Sequence, residues 1–528
     1  MVLTKHAFRL LLIATAMSLL AACSLTLDFE ECQSDADCAK VAQPGETLVC
    51  DTATSYCLPG AANNAPNNGI NNTPTNNGEL CSNAGCIATM GENYICDRAA
   101  NACVNLQSAE CTSIEGPVNL DQIVVIGSIL PTIGDNESKG LPREKAIRLA
   151  VKEINQNGGL PDGYRLVLVG CNDGGNSETA IQAANHLVNQ LHVPAIIGPA
   201  FSGPYKDVVE QVTVPAGVLT ISPSATSPTI SDIADDDLAW RTAPSDIFQG
   251  VAMADHLRDL RAAAGGSLKV TVFAINSVYG TGLSGKLSTE LADELGGPNF
   301  ANFVFAEGGA DIGTQVNAAF VQIPDPDVVV IIGNTDTVDV IAAVEATATT
   351  PPAYLLSDAG QVQELLTYVR GKDDLIARIQ GTIPDLENGA IYEGFRFRYR
   401  QQWSEEPGAY VGNTYDAAYL VAYDLITLIA NDSPISGASL ARNIPNLTTG
   451  LLIEVGPTKF NQGKNTLQSG ATINLDGVSG ALQFNTATGD PAGNYNLWGI
   501  AVDAGGPEFE NRAEYVIGDD GSGVWGNL

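Results

Sequence analysis

Small hydroxyl residues gather after two apolar segments in the first half of this 528-residue chain. The segment PAIIG runs into PAFSGPYKD, and VLTIS runs into PSATSPTIS. Each junction has a proline of the kind found just inside a helix start, where free backbone N–H groups and the helix dipole favour an anion. Ser202, Ser224 and Thr226 would add hydroxyl donors, although simple N-capping uses the same residue types for stability alone. Two such junctions in adjacent strands favour a pocket for a carboxylate.

Signals for catalysis are scarce. The segment from Gly280 to Lys286, GTGLSGK, fits the phosphate-binding pattern G-x-x-x-x-G-K, but Leu287 stands where the magnesium-binding hydroxyl belongs. The sequence has no G-x-S-x-G elbow and no H-x-x-x-H pair, and its few histidines are interpreted as surface residues. We therefore predict that the chain is not an enzyme and holds no metal or cofactor; a nucleotide-binding enzyme is a remote alternative.

The first residues have the pattern of an export signal. Lys5 and Arg9 flank the start of an apolar stretch, residues 10–20, which is too short to span a bilayer as a stable helix. It ends on LAAC, which resembles the lipobox of bacterial lipoproteins, in which the cysteine is acylated; an ordinary signal peptide is the alternative. We predict a signal peptide over 1–22, lipidation at Cys23, and export to the periplasm or the outer membrane and cell surface.

Ten of the eleven cysteines remain once Cys23 is set aside. Eight of them form two similar sets that end alike, as CDTATSYC and CDRAANAC. The sets are Cys32, Cys38, Cys50, Cys57 and Cys81, Cys86, Cys96, Cys103. Their spacing does not give the short knuckles that zinc prefers, so disulfides are expected in an exported protein, with the pairing inside each set left open. Cys111 and Cys171 are left over and form a candidate pair with each other.

Acidic residues outnumber basic ones by 60 to 26, which gives a net charge of −34. Such a chain repels nucleic acid and anionic lipid head groups, so neither is expected as a partner. The acidic residues are spread along the sequence, and solubility explains them without a cationic ligand.

The composition divides the chain into a stalk and a globular part. Residues 61–79, AANNAPNNGINNTPTNNGE, are almost free of apolar side chains and read as a flexible spacer. The spacer separates a cysteine-rich module at 23–60 from a second one at 80–118, and these segments together form a predicted disulfide stalk. The rest, 119–528, is too long for one core and suits two lobes.

Apolar strands alternate with amphipathic helices throughout 119–528. Continuous β-branched runs such as QIVVIGSIL, YRLVLVG, LKVTVFAI and DVVVII, separated by helical segments, indicate parallel sheets that are covered on both faces. The predicted fold class is therefore α/β, with two doubly wound parallel-sheet lobes. In such sheets ligands bind beyond the carboxyl ends of the strands.

From Gln122 onward the sequence resembles the type I periplasmic binding proteins, in particular the leucine/isoleucine/valine-binding branch of ABC-transporter receptors. The resemblance rests on KAIRLAVKEINQNGG, AIIGPAFSG, VLTISPSATSP, WRTAPSDIFQG, VYGTG, DVVVIIGNTDT and NTYDAAYLVAYDLI, in that order. It implies two lobes joined by a three-stranded hinge. The expected bounds are 119–243 and 395–472 for lobe 1, and 244–394 and 473–528 for lobe 2.

The same resemblance implies a ligand site. In the family the α-carboxylate is held between the segments that match FSG and PSAT, which carries over to Ser202, Gly203, Ser224, Ala225 and Thr226. Gly203 stands where amino-acid binders commonly have a serine, which is a departure from the pattern. The ligand residues implied on the other lobe are an aromatic residue, a strand-end hydroxyl and an acidic residue for the ammonium group: Tyr279, Thr335 and Asp358.

The sequence therefore predicts a membrane-anchored solute-binding lipoprotein that takes a small amino-acid-like or carboxylate ligand and delivers it to an ABC permease. A surface sensor of the same fold without a transporter is the alternative. Two features motivate it, namely the long disulfide stalk and Ser24, which follows the acylated cysteine and fits outer-membrane retention.

Overall fold

The computed structural model describes residues 48–51, 56–59, 80–387, 389–503, 505–518 and 522–527. The predicted signal peptide, the lipidation site Cys23, the cysteines Cys32 and Cys38, and the spacer 61–79 lie outside the described residues. The chain divides into two compact units, Met1–Glu79 and Leu80–Leu528. None of the helices in the described segments combines the length and the apolar character needed to cross a bilayer.

Each of the two cysteine-rich modules contains an antiparallel hairpin of the same kind. In the first unit, β1 (Leu48–Asp51) and β2 (Tyr56–Pro59) pair antiparallel, with Cys50 opposite Cys57. In the second unit, helix α1 (Asn83–Met90) is followed by β3 (Tyr94–Asp97) and β4 (Ala102–Asn105), which pair with Cys96 opposite Cys103. The repeat seen in the cysteine pattern is therefore also a repeat of local structure.

Disulfides are confirmed for the second set of cysteines. Cys81 bonds to Cys96 and Cys86 to Cys103, so the first cysteine pairs with the third and the second with the fourth. Cys111 bonds to Cys171, the pair that the cysteine count left over. This last bond joins neighbouring antiparallel strands across 60 residues of sequence.

The second module packs directly on the globular part. The Asn83 backbone N–H donates to the Asp121 carboxylate at 2.8 Å, and its side-chain amide donates to the Leu120 carbonyl at 2.6 Å. Ile95 and Leu106 are buried in one apolar cluster with side chains of the first lobe. Residues 80–118 are thus an outer layer of lobe 1, because their few apolar side chains find a core only there.

Lobe 1 is built on a six-stranded sheet in the order β10-β9-β8-β6-β7-β5, parallel except for β5. Its strands are β5 (Cys111–Glu115), β6 (Ile123–Leu130), β7 (Arg165–Asn172), β8 (Ala195–Ile197), β9 (Leu219–Ser222) and β10 (Ala239–Arg241). The helices between them are α2 (Glu137–Gln156), α3 (Ser177–Asn189) and α4 (Ser202–Val208). The central strands are apolar along their length because helices cover both faces of the sheet.

Lobe 2 begins after β10 and forms an eight-stranded sheet in the order β12-β11-β13-β14-β15-β21-β22-β23. Its strands before the chain returns to lobe 1 are β11 (Val270–Ile275), β12 (Phe300–Phe305), β13 (Val328–Ile332), β14 (Ala353–Leu356) and β15 (Ile379–Pro384), all parallel. Its helices are α5 (Asp246–Ala263), α6 (Val278–Leu295), α7 (Ile312–Gln322), α8 (Thr337–Thr347), α9 (Gln363–Val369) and α10 (Asp373–Ile376).

The chain then returns to lobe 1. The elements of this return are α11 (Gly389–Trp403), α12 (Val411–Ala430), α13 (Gly437–Asn443), β16 (Leu451–Glu454), α14 (Pro457–Gln468), β17 (Ile473–Gly477) and β18 (Gly480–Ala481). Ile473 and Leu475, which the expected bounds assign to lobe 2, are fully buried in the core of lobe 1. Strand β17 pairs with β16 and turns alternate side chains inward, so its apolar face stays with lobe 1.

Three further antiparallel strands complete the sheet of lobe 2, after a short pair formed by β19 (Phe484–Asn485) and β20 (Asp490–Pro491). They are β21 (Tyr495–Asp503), β22 (Gly506–Ile517) and β23 (Gly523–Asn527). The chain therefore passes between the lobes three times, at 242–246, 384–389 and 485–495. The second passage lies earlier than the expected boundary at 394/395, and the third lies later than the expected boundary at 472/473.

Candidate functional site

A cleft of about 990 Å³ lies between the lobes, at the carboxyl ends of the parallel strands of both sheets. Seven of the eight predicted ligand residues line it: Ser202, Gly203, Ser224, Thr226, Tyr279, Thr335 and Asp358. Ala225 is completely buried behind the lining, where its backbone N–H donates to the Ser222 hydroxyl at 2.9 Å. The topology brings these residues together because each follows a strand whose carboxyl end faces the other lobe.

The hydroxyl groups of the lobe 1 wall are largely occupied by the protein itself. Ser224 donates its hydroxyl proton to the Ala200 carbonyl at 2.8 Å. The Thr226 hydroxyl bonds to the Asp246 carboxylate at 2.9 Å. Ser202 accepts from the Ser227 backbone N–H at 3.2 Å, and its own proton has no acceptor among the described residues. The wall therefore offers fewer free hydroxyl donors than its sequence indicates.

Gly203 leaves an open space in the same wall. A side-chain Cβ built at this position would meet only the Val278 methyl group, at 3.9 Å, which is ordinary van der Waals contact. A serine would therefore fit there, and the absence of a hydroxyl at this point of the cleft is a matter of sequence and not of steric exclusion.

The lobe 2 wall is organised around Asp358, which is buried. Tyr279 donates its hydroxyl to one carboxylate oxygen of Asp358 at 2.7 Å, and Tyr410 donates to the other at 2.6 Å. Burial and the neighbouring Asp358 charge raise the pKa of both tyrosines well above the usual value, so both remain protonated donors. The carboxylate is thus fixed in orientation, with one hydrogen bond on each oxygen.

Tyr410 is a site residue that the sequence reasoning missed. It immediately precedes α12 with a φ of 64°, an uncommon conformation for a bulky residue and one that clusters at functional sites. Helix α12 belongs to the core of lobe 1, so the hydrogen bond from Tyr410 to Asp358 joins the two lobes across the cleft. No sequence motif marks this residue, because its role depends on a contact across 52 positions of the chain.

Arg143 and Lys139 also line the cleft and were missed. Both lie on α2, one helical turn apart, and continue the stripe that Ile147 and Ala150 bury in the lobe 1 core. The position of these two cations at the end of an apolar helix stripe could have identified them from the sequence, because a cation that is carried toward a buried region needs polar or charged neighbours. Arg143 is only 5% exposed, and its carbon Cζ lies 5.4 Å from the centre of the Tyr410 ring.

The two cations differ in their partners. Lys139 is half-buried and donates to the Asn334 side-chain oxygen of lobe 2 at 2.9 Å. Burial, and then the Arg143 charge, lower the pKa of Lys139 to about 8. Burial also lowers the pKa of Arg143 to about 10, which leaves it charged at neutral pH. Two of its nitrogens, Nε and Nη1, are buried and have no hydrogen-bond partner among the described residues.

Asp246 lies behind the cleft, at the first residue of α5. It is fully buried, and burial together with the Asp358 charge raises its pKa well above the usual value. One of its oxygens accepts from Thr226, and the other is buried without a partner in the described part of the chain. A carboxyl group in this position is favoured in its neutral form, which has a proton of its own to donate.

A buried ion pair fixes the loop that carries Ser224 and Thr226. Arg241 forms a salt bridge with Asp490 at 2.6 Å, in the third passage between the lobes, and both side chains are almost fully buried. The same guanidinium donates to the backbone carbonyls of Ala225 and Ser227, at 3.2 and 2.9 Å. One side chain therefore joins the lobe 1 wall to the hinge.

Within the described residues, no group of three or more His, Cys, Asp or Glu side chains is arranged to hold a metal ion. The cleft instead offers hydrogen-bond donors and acceptors from both lobes, together with two cations. Such an arrangement can bind a small polar molecule by enclosing it.

Comparisons with known proteins agree with this geometry. The family model described as periplasmic binding protein matches residues 123–496. An amino acid binding protein of Pseudomonas aeruginosa is 29% identical over 171 residues, which cover 32% of this chain and 43% of that protein. A Leu/Ile/Val-binding protein homologue of Brucella abortus is 29% identical over 184 residues, 33% of this chain and 44% of its own length. The chain thus spans less than half the length of these curated relatives.

Solved structures show the same fold. A leucine-binding protein from Thermotoga maritima superposes with a TM-score of 0.56 at 22% identity, covering 73% of this chain and 97% of that one. A branched-chain amino acid transporter substrate-binding protein from Streptococcus pneumoniae, solved with isoleucine, gives 0.55 at 20% identity and covers 74% and 99%. The predicted two-lobed α/β fold is confirmed by these matches.

The family and the named relatives are binding proteins, which confirms the prediction that the chain is not an enzyme. The family also implies export from the cytoplasm, in agreement with the predicted export signal. Since the family model matches well over half of the sequence, this chain belongs to the periplasmic binding protein family.

Proposed function

We propose that this protein is a membrane-anchored solute-binding lipoprotein, and that it captures a small amino-acid-like or carboxylate ligand between its lobes for an ABC transporter. The observation that carries the proposal is the cleft of about 990 Å³, which is lined by polar strand-end residues of both lobes. Its volume lies in the range of small-molecule sites. The relatives named for binding amino acids support this ligand class.

Binding is expected to work through closure of the lobes. Three hydrogen bonds already join the walls: Lys139 to Asn334 at 2.9 Å, Tyr410 to Asp358 at 2.6 Å, and Ser227 to the Val278 carbonyl at 2.9 Å. A ligand that touches both walls adds to these contacts only in the closed form, so it shifts the population toward that form. A partner that recognises the closed form then reads the presence of the ligand.

A thermal-shift screen tests the binding function. The exported chain is heated with amino acids, amides and small carboxylates, and a bound ligand raises the melting temperature further as its concentration increases. For a confirmed ligand, the site is tested with Thr226→Ala and Asp358→Ala. The control is Thr367→Ala, on an exposed surface of α9. Unchanged affinity in both cleft variants would place the site elsewhere, and a blank screen would contradict a solute-binding role.

A sensor of the same fold is the second candidate, because the first cysteine-rich module and the Asn-rich spacer add sequence that a receptor for a permease does not need. Co-purification after cross-linking in membranes distinguishes the two. Capture of a permease with its ATPase favours transport, and capture of a signalling receptor without them favours sensing. Mass spectrometry of the N-terminal peptide tests the lipid anchor, since Cys23 is expected to carry acyl chains.

A further inference from the structure

Neither cation of the cleft forms a salt bridge in the described part of the chain, although the charge of Asp358 acts on both from a distance. Arg143 is almost completely buried, yet its Nε and Nη1 have no hydrogen-bond partner in the described part of the chain. Among the described residues, no carboxylate lies within salt-bridge distance of it. A buried charge is normally paired, because leaving water without a partner costs several kcal/mol. The unpaired guanidinium therefore marks a place where a counter-charge is missing.

Asp358 does not supply that counter-charge directly. Each of its oxygens already accepts a tyrosine hydroxyl, from Tyr279 and from Tyr410. The Tyr410 ring also lies beside Arg143 and positions the guanidinium through a cation–π contact. Tyr410 thus contacts the cation with its ring and the carboxylate with its hydroxyl, and it accepts no hydrogen bond from the two unpartnered nitrogens of Arg143.

A second positive charge stands one turn away on the same helix. Lys139 lines the cleft, and within the described segments its ammonium donates a hydrogen bond to the neutral side chain of Asn334 and forms no salt bridge. The other acidic side chains of the lining are exposed or half-buried, so water screens their repulsion of an anion; they are Asp207, Glu307, Asp336 and Glu364. The interior of the cleft is therefore more positive than its rim.

We propose that Arg143, together with Lys139, holds the carboxylate of the ligand, and that the ligand is a small organic acid of net negative charge and not a neutral amino acid. A guanidinium binds a planar carboxylate through two parallel hydrogen bonds, either from Nη1 and Nη2 or from Nε and Nη2, and each of these pairs includes one unpartnered nitrogen of Arg143. A neutral amino acid would bring an ammonium group toward two cations, which offsets the gain from its carboxylate.

Gly203 agrees with this assignment. The position leaves room for a serine hydroxyl that is not there, and the hydroxyl groups of Ser224 and Thr226 are bound to protein acceptors. In the proposed site an anion is therefore held by the cations of α2 and not by the hydroxyl groups of the loops. The inference rests on the proposed solute-binding function and specifies the ligand class of that same cleft.

Isothermal titration of the exported chain with a defined panel tests the inference. The panel has three acids of net negative charge (succinate, benzoate and L-glutamate) and two neutral amino acids (L-leucine and L-glutamine). We expect at least one acid to bind at least about tenfold more tightly than either neutral amino acid, since a charge-assisted bidentate pair is worth more than a neutral hydrogen bond. Arg143→Met is expected to weaken that acid by at least about tenfold.

Two further variants make the result specific. Arg143→Lys keeps the charge but loses the two parallel donors, so it is expected to retain only part of the affinity. It also serves if Arg143→Met does not fold, which circular dichroism would show. Lys152→Met is the matched control, because Lys152 lies on the same helix and bonds Gln402 at an exposed surface. Its affinity for the acid is expected to equal that of the unmodified chain.

The outcomes separate the two proposals. If a neutral amino acid binds more tightly than every acid, or if an acid binds equally well to both Arg143 variants, the inference is wrong and the solute-binding function stands. If no compound of the panel or of the wider thermal-shift screen binds, the proposed function itself is wrong, and the inference is wrong with it.

Discussion

Each wall of the cleft contains one buried charged side chain, and the two side chains differ in the sign of their charge and in the hydrogen bonds that they make. On lobe 2, the acidic residue Asp358 has a donor on each of its oxygens before any ligand arrives. On lobe 1, the basic residue Arg143 is equally buried but leaves two of its nitrogens without a partner. The comparison shows that buried charge alone does not identify a binding group. A ligand gains more binding free energy from the wall of Arg143, whose nitrogens lack hydrogen-bond partners, than from the wall of Asp358, whose oxygens already have them.

The difference follows from how each charge is positioned. Asp358 lies just after β14 and accepts one hydrogen bond on each oxygen, from two tyrosine hydroxyls that burial keeps protonated. Arg143 projects from the middle of a long helix, where the nearest aromatic ring, that of Tyr410, contacts its face and takes no hydrogen bond from it. The lobe 1 wall thus keeps hydrogen-bond donors without partners, whereas the acceptor of the lobe 2 wall is held in a fixed orientation.

The largest effect on stability is expected from removing the Arg241 side chain, which fixes the loop of the lobe 1 wall. Arg241→Met leaves Asp490 buried without its partner and releases the carbonyls of Ala225 and Ser227. We expect a loss of about 3–5 kcal/mol in the free energy of unfolding, measured by urea denaturation. Arg512→Met, which breaks an exposed pair with Glu510, is the control and should cost about 1 kcal/mol or less. Equal losses in the two variants would contradict the bracing role.

The second-largest effect on stability is expected from removing the Tyr410 hydroxyl, which donates to Asp358 across the cleft. Tyr410→Phe keeps the ring beside Arg143 and removes the hydrogen bond to Asp358, with an expected cost of about 1.5–3 kcal/mol in unfolding free energy. Tyr279→Phe removes the equivalent bond within lobe 2 and is the matched control. Only the Tyr410 variant should also increase the radius of gyration in small-angle scattering. If both variants, or neither, expand the molecule, the bond does not hold the lobes together.

The carboxyl group behind the two walls gives a prediction of pH dependence. Burial, and then the Asp358 charge, raise the pKa of Asp246 in the folded chain, opposed by Thr226 and Arg241. The folded state therefore holds this proton more tightly than the unfolded chain, whose aspartate has a pKa of about 3.9. The stability that this group contributes is fully present below about pH 4. It is lost as the pH rises through the raised folded pKa.

Asp246→Asn removes this titration and keeps an oxygen for Thr226. The unfolding free energy of the variant, relative to the unmodified chain, is expected to improve as the pH rises above about 4 and to level off above the raised folded pKa. Urea denaturation across this pH range measures the difference. Asp374→Asn is the control for replacing an aspartate by asparagine, because this side chain is 90% exposed. A difference for Asp246→Asn that does not change with pH would show that its proton is held no more tightly in the folded chain.

The smallest effect is expected from refilling the gap in the lobe 1 wall. Gly203→Ser has room for its side chain and adds one hydroxyl donor, so affinity for a bound carboxylate is expected to rise roughly 3–10-fold. The melting temperature without ligand should stay unchanged. Gly313→Ser, where a Cβ would meet no neighbouring atom, is the control for introducing a serine. A loss of affinity in Gly203→Ser alone would mean that the ligand itself occupies this space.

Much of the fold and the place of the cleft could be predicted from the sequence. Apolar runs such as those of β6 and β13 bury both faces of a strand, and this pattern dictates parallel sheets whatever the rest of the chain does. The motif order after Gln122 placed Ser202, Thr226 and Asp358 at strand ends, and the structure brings all three to one cleft. The leftover pair of cysteines, Cys111 and Cys171, followed from counting alone.

Other features were decided only by tertiary contacts. The pairing of Cys81 with Cys96 depends on how α1 lies against its hairpin, which the spacing of the cysteines does not specify. Ile473 joins lobe 1 because β17 finds its pairing partner there. Whether a hydroxyl or a charge is free depends on groups far away in sequence: Thr226 is occupied by Asp246, and Arg143 is left unpaired. Local sequence thus determined which elements form and where they end, whereas hydrogen-bond satisfaction, a property of the whole packed chain, determined which residues remain free to bind.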